Sequence, residues 1–312
     1  MHAAFLRYFT VVARAGSIRA ASEQLHVASS AISRQIQKVE DELGTPLFER
    51  LPGGLRLTQA GKTVLSHAER TLNDFELLKG ELGEMRGEKT GTVSIASLDS
   101  LLVSFLPEQI SRFHKAHPKV DFRVRSGAHG SIATMVAEGE ADLGITFSLA
   151  RPEDTAFVSP VPMPLMAMVA SHHPLADRSS VTLADCAAYN LLLQLDTAPI
   201  RSLIEMELSV LNRTGRVLAA SNNLMMLKPM ILAGDGVAFY TPLGMVHELD
   251  EGSIVAVPLE GTRLGGLEMG FLVPRRRKLT QAAEALLEQL SDSFETLRGA
   301  PWMRKLSGLE QA

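Results

Sequence analysis

SIRAASEQLHVASSAISRQIQKVEDELG, residues 17–44, divides at one short turn into two helical patterns of unequal length. Ser17 offers an N-cap, and residues 18–25 read as a short helix whose Ala20 and Ala21 let a neighbour approach closely. His26, Val27 and Ala28 form the turn. A further helix starts at Ser29 or Ser30, holds Ile32, Ile36, Val39 and Leu43 on one stripe, and stops at Gly44. Upstream, Phe5, Leu6, Phe9, Val12 and Ala13 recur at helical spacing, and Gly16 closes that first helix. The outward face of the third helix carries Ser30, Ser33, Arg34, Gln37 and Lys38. These are hydrogen-bonding and cationic groups suited to base edges and phosphates, though a merely solvated face is polar too.

The continuation weighs against mere solvation. Residues 46–50 and 55–57 flank Pro52-Gly53-Gly54, a turn between two short extended pieces, which reads as a β-hairpin wing. Thr58 then caps a long helix from Gln59 to about Arg86. Its Leu65, Ala68, Leu72, Phe75, Leu78, Leu82 and Met85 are spaced mostly by threes and fours, while Glu69, Arg70, Asp74, Glu76 and Glu81 keep the other side wet. Such a stripe needs burial, and a second copy of the chain supplies it economically.

Several residues together carry a family resemblance. They are Phe9-Thr-Val-Val-Ala13, Gly16-Ser17, Ala20-Ala21, Leu25, Ala31-Ile-Ser-Arg-Gln-Ile36, Glu40, Leu43-Gly44, Pro46-Leu-Phe48, Arg50, and Leu57-Thr58 with Ala60-Gly61. The chain resembles the LysR-type transcription regulators, densely to about residue 65 and diffusely beyond. The resemblance implies that the third helix enters the major groove of an operator, so Ser29, Ser30, Ser33, Arg34 and Lys38 inherit DNA contacts. Arg50 and Arg56 inherit wing or backbone contacts. Ser29-Ser30 stands where relatives commonly have Gln-Pro or Gln-Ser, and Gly53 stands where many have an arginine near the wing tip. Operator preference and the wing's minor-groove contact should differ accordingly.

Beyond the polar stretch 86–91 the pattern alternates. Residues 92–96 and 120–125 read as strands around a helix at 101–117, and a helix at 131–138 leads to a strand near 142–146. Short connections favour a parallel sheet. The proline-rich stretch 152–164 reads as a hinge into a second lobe, with strands near 165–169, 191–195 and 237–241 and helices near 199–211 and 224–232. The chain returns through 266–273 and a helix at 280–297. Two crossovers make a cleft, resembling the periplasmic-binding-protein-like fold of LysR-type effector domains. The expected division is a winged helix-turn-helix at 1–58, a linker and dimerisation helix with hinge at 59–90, and an α/β effector-binding domain at 91–312. Its first lobe takes about 91–162 and 267–300, its second about 163–266.

The family pattern implies an effector site at Ser97, Ser100, Leu101, His129, Phe147, Thr197 and Pro199, with Asn222 and Tyr240 as weaker candidates. Amides and hydroxyls at the helix start after Ser97 suit an anion. Asp99 argues the other way, for a ligand with amine or hydroxyl donors. Capping and turn formation explain the same polar residues.

Of 312 residues, 46% are hydrophobic and 21% charged, as in a folded soluble protein of two or three domains. A net charge of −4 means that any nucleic-acid surface is a local patch. The one cysteine, Cys186, has no partner for a disulfide or a zinc cluster and reads as a buried structural thiol of the cytoplasm. No signal peptide and no membrane-spanning run is read, and no cofactor or metal is expected. His172-His173 face opposite ways in an extended segment, and Gly234-Asp-Gly236 lacks a third glycine for a dinucleotide site. No Gly-x-Ser-x-Gly elbow or phosphate loop is present, so a regulator and not an enzyme is expected. The alternative is a small-molecule-binding protein or enzyme on the two-lobed domain. The family resemblance implies a homodimer through the linker helix, a homotetramer above it, double-stranded DNA, a small organic effector, and RNA polymerase as a further partner.

Overall fold

The computed structural model describes residues 3–84, 89–149, 151–195, 198–210 and 215–297. They fall into two compact units, Met1–Gly87 and Glu88–Ala312.

In the first unit, α1 (Ala3–Ala15), α2 (Ile18–Leu25) and α3 (Ser29–Leu43) enclose Phe5, Phe9, Val12, Ala21, Ile32, Ile36 and Val39. Ser17 caps α2 by accepting the Ala20 amide, and His26 ends it in the left-handed region at φ +53°. Gly44, at φ +66°, ends α3 in the same conformation, which glycine adopts without Cβ strain. The wing is an antiparallel pair, β1 (Phe48–Leu51) and β2 (Gly54–Leu57). It is anchored at its base, where Glu40 accepts the Leu47 amide at 2.6 Å and the Phe48 amide at 3.2 Å. The Leu55 amide also donates to the Gly16 carbonyl at 2.7 Å. A Cβ on Gly54 would lie 2.6 Å from that carbonyl, so glycine is required there for close approach. Thr58 Oγ1 accepts the Gly61 amide and donates to the Pro46 carbonyl, starting α4 (Gln59–Glu84).

The long apolar stripe of α4 divides. Val64, Leu65, Ala68 and Leu72 pack on the first unit's own core. Phe75, Leu78 and Leu82, further along, are 58%, 47% and 46% exposed. Met85 lies outside the described residues.

The second unit holds two five-stranded sheets. In chain order it runs β3 (Gly91–Ser97), a 3-10 turn at Asp99–Leu102, α5 (Phe105–Ala116), β4 (Val120–Ser126), α6 (His129–Ala137), β5 (Leu143–Phe147) and β6 (Thr155–Pro162). The chain then builds the second sheet with β7 (Met166–Ala170), α7 (Leu183–Cys186), β8 (Leu191–Gln194), α8 (Ala198–Val210), β9 (Val217–Ser221), α9 (Leu224–Leu232), β10 (Val237–Tyr240), α10 (Val246–Asp250) and β11 (Ile254–Pro258). It returns as β12 (Glu268–Pro274) and α11 (Gln281–Leu297). The sheet orders are β4-β3-β5-β12-β6 and β11-β7-β10-β8-β9.

Neither sheet is wholly parallel, contrary to the expectation from short connections. β3 runs parallel to β4 and β5, but β12 is antiparallel to β5 and β6, because it comes back from the other lobe. β7 is likewise antiparallel to β10 and β11, while β8 lies parallel to β9 and β10. The stretch expected to be hinge is largely strand. β6 is an edge strand, where Pro160 and Pro162 remove no inner ladder bond. The passage between sheets is confined to Met163–Leu165 outward and the segment after Pro258 back.

Candidate functional site

On α3, Ser29, Ser30, Arg34 and Lys38 are exposed and Ser33 is half-buried, while Ile32, Ile36 and Val39 face the core. The alternation follows from helical periodicity, which puts every third or fourth side chain inward. Arg34 Nε donates to the Ser30 carbonyl one turn back at 3.2 Å, so its guanidinium lies along the exposed face. Gln37 donates to Asp41 at 2.9 Å. On the wing, Arg56 pairs with Glu49 across the hairpin at 2.8 Å, both well exposed. That pairing leaves Arg50 exposed, with no ion pair among the described residues. Seven residues singled out from the sequence are therefore distributed over one helix, α3, and one hairpin of a single small unit.

In the second unit a cavity of about 360 Å3 opens where the two sheets face each other. Leu98, Asp99 and Ser100 line it from the turn after β3, Ser126 ends β4, and Gly127, Ala128 and Ser131 belong to the start of α6. Phe147, the last residue of β5, and Leu165 add apolar wall. From the other sheet come Gln194, Asn222, Tyr240 and Thr241. Most of these sit at carboxyl ends of strands, which is where ligands enter open α/β sheets.

The electrostatics of the cavity centre on Asp99. Its Oδ2 accepts the Leu224 amide at 2.6 Å, so a carboxylate from the first sheet caps α9 of the second alongside Asn223. Burial pushes the Asp99 pKa above the usual carboxylate range despite the Leu224, Ser100 and Asp99 amides that favour its charge. Tyr240 is 1% and Thr241 2% exposed, and neither hydroxyl has a hydrogen-bond partner among the described residues. Burial, and then the charge of Asp99, raises the Tyr240 pKa; the Gln194 amide stands near its hydroxyl without bonding geometry. α6 begins without a side-chain cap, since Ala128 holds the N-cap position.

Residues 4–62 match the model of the lysR-family bacterial regulatory helix-turn-helix, and residues 86–295 match that of the LysR substrate binding domain. The chain belongs to the LysR family. It is a DNA-binding transcription regulator modulated by an effector. This LysR-family chain is 30% identical over 300 residues to the transcriptional dual regulator GltC of Bacillus subtilis, covering 94% of the chain and 97% of GltC. It is 27% identical over 297 residues to the DNA-binding transcriptional dual regulator OxyR of Escherichia coli K12, covering 93% and 96%. The hydrogen peroxide-inducible genes activator of Escherichia coli O6:H1 matches to the same extent. A full-length OxyR variant of Pseudomonas aeruginosa shares the fold with a TM-score of 0.66 at 19% identity, covering 97% of this chain and 96% of that one.

Among the effector-site residues singled out from the sequence of this LysR-family regulator, Ser100 and Phe147 line the cavity, as do the weaker candidates Asn222 and Tyr240. Leu101 is fully buried in the hydrophobic core. Ser97 is also fully buried, its hydroxyl donating to the Leu98 carbonyl. His129 is 5% exposed and its Nδ1 meets Thr146 Oγ1 at 3.0 Å, because α6 begins two residues earlier than the sequence pattern suggests and turns the ring inward. Thr197 lies outside the described residues, and Pro199 falls in α8 with its side chain undescribed. Ser126, Ser131, Gln194 and Thr241 were not singled out; the carboxyl ends of β4, β8 and β10 were the signal that marks most of this wall.

Cys186 is wholly buried in α7, and burial, with Asp185 beside it, pushes its thiol up to about 12. At pH 8 about one thiol in ten thousand is then ionised. Native protein should therefore resist iodoacetamide and millimolar hydrogen peroxide, while the same chain in guanidinium is labelled within minutes. Labelling of the native thiol, read by mass spectrometry, would contradict this burial.

Proposed function

We propose that α3 reads an operator through the major groove, with Ser29, Ser30, Ser33, Arg34 and Lys38 at bases and phosphates and Arg50 and Arg56 on the flanking backbone. Support comes from the geometry of one exposed polar face on a helix whose other face is core. The wing adds little minor-groove insertion, since Gly53 has no side chain to insert and Arg56 is held by Glu49. Two copies pair through the exposed end of α4, and pairing of second units joins two such dimers into a tetramer. RNA polymerase is a further proposed partner, in keeping with the activator named among the chain's relatives.

The effector occupies the cavity between the sheets. The single observation carrying this reading is a cavity of about 360 Å3 between the sheets, within the size range of small-ligand sites, whose wall includes Tyr240 and Thr241 with buried hydroxyls that lack partners among the described residues. The effector is not peroxide acting on a thiol, because the one cysteine is buried and un-ionised. No helix is long and apolar enough to cross a membrane, and no cluster of metal-type ligands occurs among the described residues. The cavity acts as a sensor and carries out no turnover. The test is thermal-shift screening of a metabolite library on the full chain, with each hit titrated against operator anisotropy. Hits that stabilise the protein and change operator affinity are the expected result. Product formation on prolonged incubation, or stabilisation without any effect on DNA binding, would contradict it.

A further inference from the structure

Among the described residues that line the cavity, Asp99 is the only carboxylic acid, and none is a lysine, arginine or histidine. Backbone amides direct their dipoles at the Asp99 carboxylate, yet burial outweighs them, so the ionised group is under-compensated in the ligand-free protein. Tyr240 lies close enough to feel that charge; it and Thr241 line the same cavity, and their buried hydroxyls have no hydrogen-bond partner among the described residues. Each unpaired buried hydroxyl carries a desolvation cost that a ligand group removes. A carboxylate with two hydroxyl-bearing residues in the same wall is an acceptor set, and an ammonium group has three donors and no acceptor.

We propose that the effector carries a protonated primary amine, which Asp99 receives with the Tyr240 and Thr241 hydroxyls as neighbouring acceptors. This rests on the cavity being the effector site. An effector that is only an oxyanion meets repulsion from Asp99 and finds no cation among the described residues of the wall. An amine and an oxyanion in one small molecule suit the cavity together, because the uncapped start of α6 also lines it. Asp99 already joins the two lobes through the Leu224 amide, so an amine bound there acts on a contact that spans the cleft.

Three matched sets of compounds decide the matter by isothermal titration on the full chain. They are the L-α-amino acids, the α-hydroxy acids with the amine replaced by hydroxyl, and the primary amines lacking the carboxylate. The expected result is binding by at least one amine-bearing compound, with its hydroxyl counterpart at least about tenfold weaker. Asp99→Asn should weaken that compound by about ten- to a hundredfold. The asparagine oxygen still accepts from Leu224, and removal of a buried charge should leave the ligand-free melting temperature equal to wild type or higher. If the variant does not fold, the matched sets on wild-type protein decide alone. A hydroxy acid binding as tightly as its amine counterpart would overturn the proposal, as would an amine indifferent to Asp99→Asn. Both outcomes leave the cavity as a ligand site. Absence of binding in all three sets overturns the amine as well, and the cavity reading is then judged separately by the library screen.

Discussion

A chain carrying Phe75→Glu and Leu82→Glu sediments as a monomer, keeps the melting transition of its second unit, and binds operator about a hundredfold more weakly or worse. The reason lies in how α4 divides its apolar stripe. Leu65 and Leu72 are committed to the first unit's core, so charges there would unfold the reader itself. Phe75, Leu78 and Leu82 are about half exposed or more, on successive turns of one helix. Burying such a side chain contributes about 1.5–3 kcal/mol, and three of them on each of two copies are enough to drive pairing. Two readers held together engage the second half-site as an intramolecular step, and separation removes that advantage. Sedimentation velocity showing an intact dimer would place the pairing surface elsewhere.

Arg34→Ala should weaken operator binding by about 1–3 kcal/mol and leave the melting temperature unchanged. The side chain is exposed, and its one hydrogen bond returns to its own helix at Ser30, so the fold gives up little. Lys38 lies one turn on, along the same exposed face. Arg56→Ala should have a smaller effect, because Glu49 already neutralises that guanidinium in the free protein. Fluorescence anisotropy over a range of salt concentrations separates the two roles. Loss of a base contact lowers affinity and specificity together, whereas loss of a phosphate contact weakens binding to all sequences alike and reduces the salt slope. Unchanged operator affinity in Arg34→Ala would refute the docking face.

The first unit was legible because its signals are local. Ser17, Gly16 and Gly44 sit where caps and left-handed turns must be, and the inward stripe of α3 follows from periodicity alone. The division of the α4 stripe at Leu72 was not legible, since spacing shows that a face is apolar but not which neighbour covers it. In the second unit the crossovers could be placed from strand and helix alternation. The direction of β7 and β12 could not, because it depends on which side of the other lobe the chain leaves. Prolines concealed β6, an edge strand that tolerates them. At the cavity, Ser100 and Phe147 follow from their place at strand ends. His129 and Leu101 turn inward instead, His129 because α6 starts two residues earlier than its pattern suggests and Leu101 from the 3-10 turn after β3. Gln194 and Thr241 come together with Asp99 only through the tertiary fold.

The coupling of cavity to operator is tested most directly by a nuclease footprint on operator DNA, with and without a compound that stabilises the full chain. The comparison is between wild type and Ser131→Trp. Ser131 is an exposed residue at the start of α6 that lines the cavity, so a tryptophan there fills the cavity without disturbing the core. The account predicts a footprint that changes in length or in hypersensitive positions on adding the compound to wild type. In Ser131→Trp the footprint should match the ligand-free wild type whether or not the compound is present. A wild-type response in the filled variant would contradict the account, placing the sensing site outside this cavity.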